Sequence, residues 1–323
     1  MLPAEFDVTG KVVLITGAGR GIGRGIAEVL AGAGCDIALN ALTPKYVEAT
    51  AAEIAKADLV VAVGTELAET DIWREDLGHR CPMVRVDIDP ASLSDRRNAA
   101  IRLQADAGFV LAALSERLSG HAARTHWSAA EVASARTRWR AEVDAERPGI
   151  LPVLDVLRAA LPKGTTVYAD STQFAYVALE TWDMESPGLW HYPVGFGTLG
   201  YALPAAIGGK VGLPDRPVVA MAGDYGLQYT LPELGTAVEL GLPLPIILWD
   251  NGKLGAIEAS MVTAQIAPNA VIQRNPDFVA LARAYGAYAT APRSFAALAA
   301  AVQAALAADA PTLIHVTPET AHS

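Results

Sequence analysis

The sequence predicts an α/β fold with two doubly wound parallel-sheet domains. Short apolar runs alternate with helical patterns from end to end, which is typical of parallel strands buried between helices. The 323 residues are 52% hydrophobic and 19% charged, a composition that can build two cores. The predicted strands are Val12–Thr16, Asp36–Asn40, Leu59–Val63, Val84–Ile88, Thr166–Ala169, Val218–Ala222, Pro245–Trp249 and Thr312–Val316.

A charged segment, Ser119–Gly149, separates the two groups of strands and predicts the domain boundary. It is rich in arginine and acidic residues and ends in Pro148-Gly149, as an exposed helix and linker would. We therefore expect an N-terminal domain over residues 1–118, a helical linker over 119–149 and a C-terminal domain over 150–323.

The charge balance and the cysteines restrict the function classes. A formal net charge of -10 and a pI near 5.1, without a basic run, argue against a nucleic-acid surface. No apolar run reaches the roughly 20 residues of a membrane span, and residues 1–9 lack a signal-peptide pattern. Cys35 and Cys81 are too few for a disulfide framework. We expect a cytoplasmic protein whose partners are small molecules or other subunits.

A glycine-rich turn lies between the first predicted strand and a helical pattern in Gly10–Gly34. Gly17, Gly21 and Gly23 would let the backbone approach a pyrophosphate at the helix N-terminus. This pattern resembles the short-chain dehydrogenase/reductase family over Phe6–Ala55. We interpret residues 1–55 as the first part of a hybrid Rossmann-like domain.

Two features that a reductase of this type requires are missing. No Tyr stands four residues before a Lys, a pairing that lowers the pKa of the phenol for general-acid catalysis. The second strand ends in Asn40-Ala41-Leu42, which offers neither a carboxylate for the ribose 2′-hydroxyl nor an arginine for a 2′-phosphate. We expect the glycines to form only a tight turn, and an NAD(P)-dependent oxidoreductase remains an alternative.

Three stretches after Lys56 read ADLVVAVGTEL, VRVDIDP and LQADAGFVLAAL. They resemble the second half of the central domain of thiamine-diphosphate enzymes of the acetolactate synthase and benzoylformate decarboxylase type. Gly149–Pro318 resembles the whole diphosphate-binding domain of the same enzymes. The resemblance implies thiamine diphosphate and Mg²⁺ as cofactors, and residues 56–118 are interpreted as a remnant of the central domain.

Asp224 and Asn251 are the predicted metal ligands. Both follow apolar strands, whose carboxyl ends meet at the edge where parallel sheets bind ligands. Mg²⁺ favours oxygen ligands, typically a carboxylate together with phosphates. In the family a Gly-Asp-Gly turn and a later Asn bind Mg²⁺, and the resemblance implies Asp224, Asn251 and the backbone carbonyl of Lys253 as its ligands. The alternatives are a helix N-cap or turn for Asp224 and a loop turn for Asn251.

The motif departs from the family pattern at two positions. The turn reads Gly223-Asp224-Tyr225-Gly226, with tyrosine in place of the second glycine, and the asparagine pair reads Asp250-Asn251. We expect Gly226 to preserve the turn, while the phenol of Tyr225 lies beside the phosphates. Gly223, Tyr225 and Gly226 are therefore candidate cofactor contacts.

Four further cofactor contacts come from the resemblance. VGFGTLGYALPAAIGG matches the family segment that grips the cofactor, with Leu199 as the apolar support of its bent form and Gly197 as the glycine whose carbonyl holds the 4′-amino group. Thr172 and Gln173 lie where the family contacts the diphosphate, and helix capping is their alternative role.

The pyrimidine-binding domain of the family, which supplies an activating glutamate, has no counterpart in these 323 residues. We therefore expect a protein of the 2-oxo acid decarboxylase or acetolactate synthase type that binds thiamine diphosphate and Mg²⁺ but is inactive alone. A homo-oligomer, or half of a two-chain lyase completed by a pyrimidine-domain chain, is the expected assembly. GDYG and DNGKLGAIE resemble guanidino-oxopentanoate decarboxylases most. The sequence assigns no catalytic residue and leaves His191 and Glu258 without a role.

Overall fold

The computed structural model describes residues 12–16, 36–40, 58–65, 67, 79–94, 99–119 and 128–322. The chain divides into two compact units, Met1–Ala135 and Arg136–Ser323. Gly17, Gly21 and Gly23, on which the pyrophosphate-binding interpretation depends, lie outside the described residues. Within the described part of the chain, no helix combines the length and apolar character needed to cross a membrane.

The first unit contains a five-stranded parallel sheet in the order β2-β1-β3-β4-β5. Its strands are β1 Val12–Thr16, β2 Asp36–Asn40, β3 Leu59–Val63, β4 Met83–Asp87 and β5 Ile101–Gln104. Two described helices follow strands, α1 Pro90–Leu93 and α2 Ala107–Leu118. β4 begins one residue before its predicted start, and β5 was not predicted because its four residues alternate between half-buried and exposed positions.

The second unit contains a six-stranded parallel sheet in the order β10-β11-β9-β8-β6-β7. Its strands are β6 Thr166–Ala169, β7 Trp190–His191, β8 Val218–Gly223, β9 Pro245–Trp249, β10 Tyr288–Thr290 and β11 Thr312–Val316. The helices are α3 Ala129–Glu146, which begins before the division between the units, α4 Ile150–Ala160, α5 Gln173–Thr181, α6 Ala202–Gly212, α7 Asp224–Tyr229, α8 Glu233–Glu239, α9 Gly255–Thr263, α10 Phe278–Ala284 and α11 Phe295–Leu306, followed by a 3₁₀ helix at Pro318–His322. The α/β class with two parallel sheets is as predicted.

Helices cover both faces of the C-terminal sheet, which is why its central strands read as unbroken apolar runs. Successive strand residues face opposite sides. Val219 and Met221 of β8 pack in a core with α4, α5 and α11, whereas Val218 and Ala220 pack in a second core with α6, α8 and α10. All residues of β8 and β9 are buried, so the ends of these strands are fixed in place.

The predicted linker contributes to the second unit. Arg140 on α3 binds both carboxylate oxygens of Asp155 on α4 at 2.7 Å, and Arg147 binds Glu180 on α5 at 3.1 Å. Val143 lies in the core beside α4. The charged residues that predicted a linker therefore attach Arg136–Gly149 to the second unit, and the predicted domain limits otherwise remain predictions.

Candidate cofactor and metal site

The carboxyl edge of the C-terminal sheet places the turns that bear the two predicted side-chain ligands next to each other. β8 and β9 are adjacent, and Gly223 on β8 pairs with Trp249 on β9. Asp224 follows β8 directly, and Asp250-Asn251 follows β9. Because the strands are parallel and in register, the two polar turns lie side by side.

Asp224 is buried, with only 3% of its surface exposed. Its Oδ1 accepts a hydrogen bond from the backbone N–H of Tyr225 at 3.0 Å, and its Oδ2 accepts one from the side-chain amide of Asn275 at 2.6 Å. A carboxylate has about four lone-pair sites. These two bonds therefore orient the group and leave lone pairs for a cation.

Asp250 lies beside Asp224 and is surrounded by donors. Its Oδ1 accepts hydrogen bonds from the Asn275 amide at 2.7 Å and from the backbone N–H of Gly252 at 3.1 Å. Its Oδ2 lies 2.8 Å from Nε2 of His315 on β11. The aspartate that replaces the family's first asparagine is thus held within the protein by three groups.

The two carboxyl groups differ in acidity. Burial raises the pKa of Asp224 above its ordinary value, the hydrogen bond from Asn275 opposes the rise, and the nearby charge of Asp250 adds to it. Burial alone would also raise the pKa of Asp250, but the hydrogen bonds from His315 and Asn275 outweigh it and leave the pKa below its ordinary value. Asp250 is therefore the more acidic of the two carboxyl groups.

The loop after β9 presents the other predicted metal ligands. The backbone N–H of Lys253 donates to Asn251 Oδ1 at 3.3 Å, which closes a tight turn. The ammonium of Lys253 pairs with Glu258 at 2.7 Å. The ammonium is thus engaged by Glu258 of α9, and the backbone carbonyl is the group of Lys253 that can bind a metal. Sequence reasoning left Glu258 without a role, and the structure shows it as the partner of Lys253.

The turn after β8 explains why tyrosine is accepted at its third position. Tyr225 lies in α7 with ordinary helical backbone, so no glycine is needed there. A Cβ on Gly226, by contrast, would clash with Oδ2 of Asp170. A Cβ on Gly223 would lie 3.3 Å from Thr172 Oγ1. The tight packing of this turn depends on Gly223 and Gly226, with Tyr225 half-buried between them.

Asp170 ties the predicted cofactor loop to the sheet. It follows β6 and is 1% exposed, and its carboxylate accepts hydrogen bonds from the backbone N–H groups of Gly200 at 3.1 Å and Ala202 at 2.7 Å. Within the loop, Leu199 is half-buried, and Gly197 has a φ of 57°, a left-handed conformation that favours glycine. The loop is therefore held at the same sheet edge as Asp224.

The start of α5 approaches the metal-ligand loop. Thr172 is the N-cap of α5 but makes no side-chain capping bond, so its hydroxyl is available to a ligand. A Cβ on Gly255 would clash with Oε1 of Gln173 and lie 3.3 Å from Nδ2 of Asn251, which shows that Gln173 and Asn251 converge there. His191, which the sequence left without a role, stacks on the ring of Tyr168, with centroids 4.6 Å apart.

Four polar residues of this edge were missed as site residues by the sequence analysis. Asp250 precedes Asn251 and Asp170 lies two residues before Thr172, and both could have been found by the rule that polar groups after buried strands face the ligand edge. Asn275 precedes α10 in the sequence Asn-Pro-Asp, and His315 interrupts an apolar strand. Neither pattern indicates which other residue it contacts.

The donors present fit a magnesium diphosphate group. Among the described residues, no cluster of three or more His, Cys, Asp or Glu could hold a metal on its own. The predicted set of one carboxylate, one amide oxygen and one backbone carbonyl consists of oxygen donors, and Mg²⁺ typically binds one or two carboxylates together with phosphates. The hydroxyl of Thr172 and the amide of Gln173 are suitable partners for the phosphate oxygens.

Comparison with known proteins agrees with this chemistry. Residues 170–316 match the family described as thiamine pyrophosphate enzyme, C-terminal TPP binding domain, and residues 39–114 match its central domain. The chain belongs to the thiamine pyrophosphate enzymes. The prediction of thiamine diphosphate as the cofactor is confirmed, and all the predicted cofactor contacts lie in the matched segment. The central-domain match begins upstream of Lys56, and the reductase-like interpretation of residues 1–55 remains a prediction.

Similar proteins are decarboxylases and acetolactate synthases. The chain is 42% identical over 264 residues to the "Probable 2-ketoarginine decarboxylase" of Pseudomonas aeruginosa. The aligned residues cover 81% of this chain and 47% of that protein. It is 31% identical over 242 residues to the acetolactate synthase isozyme 3 large subunit of Escherichia coli, covering 71% of this chain and 42% of that protein. The chain thus spans about half the length of these curated relatives.

A solved structure has the same fold. The thiamine diphosphate-dependent 4-hydroxybenzoylformate decarboxylase of Rhodococcus jostii superposes with a TM-score of 0.71 at 21% identity, over 95% of this chain and 61% of that one. This likeness confirms the predicted architecture of two parallel-sheet domains.

Proposed function

We propose that this chain binds thiamine diphosphate through Mg²⁺ and forms the diphosphate-binding part of a 2-oxo acid lyase. The observation that carries the proposal is the adjacency of the Asp224 and Asp250-Asn251 turns at the ends of two paired strands. Asp224, Asn251 and the carbonyl of Lys253 would hold the metal. The cofactor, when bound, supplies the electron sink that decarboxylation of a 2-oxo acid requires.

The other contacts of the proposed site divide into two groups by chemistry. Thr172 and Gln173 donate hydrogen bonds to the diphosphate, and their position near Gly223 and Gly255 supports this role. Gly197 and Leu199 hold the ring end of the cofactor, on a loop that Asp170 fixes to the sheet. The protein thereby fixes both ends of the cofactor from one sheet edge.

Calorimetry tests the proposed binding directly. We expect the purified chain to bind thiamine diphosphate in the presence of Mg²⁺ and to lose that binding when EDTA removes the metal. Pyrophosphate should compete, since the protein contacts proposed for the metal end require only phosphates. Binding of equal affinity with and without Mg²⁺ would contradict the metal assignment, and absence of binding in both would contradict the proposed function.

The substrate we propose is a 2-oxo acid that carries a guanidinium group. The support is the 42% identity to the relative named for 2-ketoarginine. We further propose that these 323 residues need a pyrimidine-binding domain, because several large apolar side chains around the site are exposed to solvent. They are Val194, Phe196, Tyr229, Ile257 and Ile272, of which Phe196 is 96% exposed.

Carbon dioxide release tests this second proposal. The purified chain should release no more than background amounts from 2-oxoarginine, pyruvate or benzoylformate. Addition of a pyrimidine-binding domain should raise release from 2-oxoarginine above that from the other two acids. Cofactor-dependent release by the chain alone would contradict the requirement for the added domain. Light scattering on the same sample would show whether the chain covers its apolar residues by self-association.

A further inference from the structure

Asn275 joins the two carboxyl groups of the site through one side-chain amide. Its Nδ2 donates to Asp224 Oδ2 at 2.6 Å and to Asp250 Oδ1 at 2.7 Å. Its Oδ1 accepts hydrogen bonds from Gln273 Nε2 at 2.9 Å and Gln228 Nε2 at 3.4 Å. Both ends of the amide are therefore engaged, and the orientation of the Asn275 side chain is fixed.

Asn275 lies between the carboxylates of Asp224 and Asp250, which would otherwise repel each other. Asp224 follows β8 and Asp250 follows the adjacent strand β9. Both carboxylates lie within hydrogen-bond distance of the same amide nitrogen, so their like charges are close enough to repel each other. Each amide hydrogen of Asn275 faces one of the two carboxylates, and His315 holds the far oxygen of Asp250 at 2.8 Å. The amide thus separates the groups and gives each a defined direction.

The segment that bears Asn275 is bonded to the metal-ligand loop. Leu254 N–H donates to the carbonyl of Val271 at 2.8 Å, and Gln273 N–H donates to the carbonyl of Gly252 at 3.2 Å. These bonds flank the bridge between Lys253 and Ile272. The side chain of Asn275 therefore binds Asp224, and the backbone of the preceding residues Val271 and Gln273 binds the loop that contains Asn251 and Lys253.

We propose that Asn275 is a positioning residue that holds Asp224 ready for Mg²⁺ and keeps Asp250 away from the metal as a structural anion. Asp250 is then a support bound by Asn275, His315 and the Gly252 N–H. Asn251 remains the ligand on that strand end. This inference rests on the proposed magnesium site and adds residues that the family motif does not include.

The test measures the Mg²⁺ concentration that gives half-maximal binding of thiamine diphosphate by calorimetry, together with thermal unfolding of the cofactor-free protein. Asn275→Ala should raise the Mg²⁺ requirement by about 10- to 100-fold, as loss of a residue that orients a metal ligand does. Asn269→Ala, an exposed asparagine in the same segment, should leave it unchanged. An unchanged requirement in Asn275→Ala would overturn the inference.

A second background, Asp250→Asn, and a second substitution, Asn275→Ser, separate positioning from a general loss of structure. In an Asp250→Asn background, the repulsion that Asn275 relieves is gone, so Asn275→Ala should raise the Mg²⁺ requirement by a smaller factor than in the wild type. An equal factor in both backgrounds would contradict the inference. If Asn275→Ala does not fold, Asn275→Ser takes its place, since its hydroxyl can donate to only one carboxylate at a time. A raised requirement in Asn275→Ser supports positioning, and an unchanged one overturns it.

The wild type distinguishes failure of this inference from failure of the proposed function. Binding in the wild type that depends on Mg²⁺, with an unchanged requirement in Asn275→Ala, would overturn only the role of Asn275. Wild-type binding that is absent, or that EDTA does not affect, would overturn the metal site and the inference with it.

Discussion

Two buried aspartates, Asp170 and Asp224, lie at the carboxyl edge of the same sheet and are held in different ways. Both oxygens of Asp170 accept hydrogen bonds from backbone N–H groups of a distant loop, those of Gly200 and Ala202. Asp224 is bound by the next residue's N–H and by the side chain of Asn275. Burial alone therefore does not mark a ligand. The backbone partners of Asp170 show that it maintains the loop, whereas the partners of Asp224 leave it free for the cofactor role that we propose.

The largest effect on stability is expected for Asp170→Ala. The variant leaves the N–H groups of Gly200 and Ala202 buried without an acceptor, and each such group costs about 1–3 kcal/mol. Urea unfolding should show that the free energy of unfolding falls by about this amount for each of the two N–H groups. Asp170→Asn, which keeps one acceptor oxygen, should lose less. Equal stability of wild type and Asp170→Ala would remove the structural role assigned to Asp170.

A smaller effect is expected for Gly226→Ala, which places a methyl group against Oδ2 of Asp170. Because Asp170 is fixed by two backbone bonds, the chain must shift to relieve the clash, at a cost of about 1–3 kcal/mol. Gly208→Ala is the control, since Gly208 is an exposed glycine of α6 with nothing within 4 Å of an added Cβ. It should gain up to about 1 kcal/mol. If thermal unfolding shows stability changes of the same sign for Gly226→Ala and Gly208→Ala, this explanation is contradicted.

The acidity of Asp170 gives a pH test of the comparison. Burial raises the pKa of Asp170, and the hydrogen bonds from Ala202 and Gly200 offset this only in part. The folded-state pKa then lies above the unfolded value of about 3.9. The contribution of Asp170 to stability is fully present below the unfolded pKa and is lost as pH rises through the folded pKa.

We therefore expect the free energy of unfolding of the wild type to exceed that of Asp170→Asn by a larger amount at about pH 4 than at pH 7. Urea unfolding of both proteins at the two pH values measures this difference. A difference that grows as pH rises would show that the folded state prefers the ionised form of Asp170.

The smallest effect on stability is expected for Asp224→Ala. Removing this carboxylate loses the hydrogen bond from Asn275, but it also removes the cost of burying a charge beside Asp250. We expect thermal unfolding of the cofactor-free variant to report a change within about 1 kcal/mol of the wild type. A loss as large as that of Asp170→Ala would mean that the two aspartates have the same structural task.

The strands could be predicted where burial is complete. β9 was predicted with its observed limits and β8 to within one residue, because helices on both faces make every position apolar. β5, β7 and β10 were missed, since short edge strands of two to four residues carry half-exposed side chains and no distinctive pattern. Sequence periodicity therefore reports the centre of a sheet better than its edges.

The site was predictable only where ligands follow strands. Asp224 stands directly after β8 and Asn251 two residues after β9, which places both at the ligand edge of the sheet, and the family resemblance selected them as candidate ligands. Asn275 and His315 reach the site through tertiary packing, His315 from within β11 and with its ring 5.8 Å from that of Phe278. Their sequence neighbours contain no information about Asp250, so only the fold brings them together.

Two aspartates near opposite ends of β8, Asp224 and Asp215, provide a matched pair for testing the cofactor site. Calorimetry measures Mg²⁺-dependent binding of thiamine diphosphate to the wild type, Asp224→Ala and Asp215→Ala. Asp215 is exposed and precedes the strand, and its loss changes the net charge by the same amount. We expect Asp224→Ala to abolish binding because the metal loses its charged ligand, while Asp215→Ala binds as the wild type does. Unchanged affinity in Asp224→Ala would contradict the proposed cofactor site.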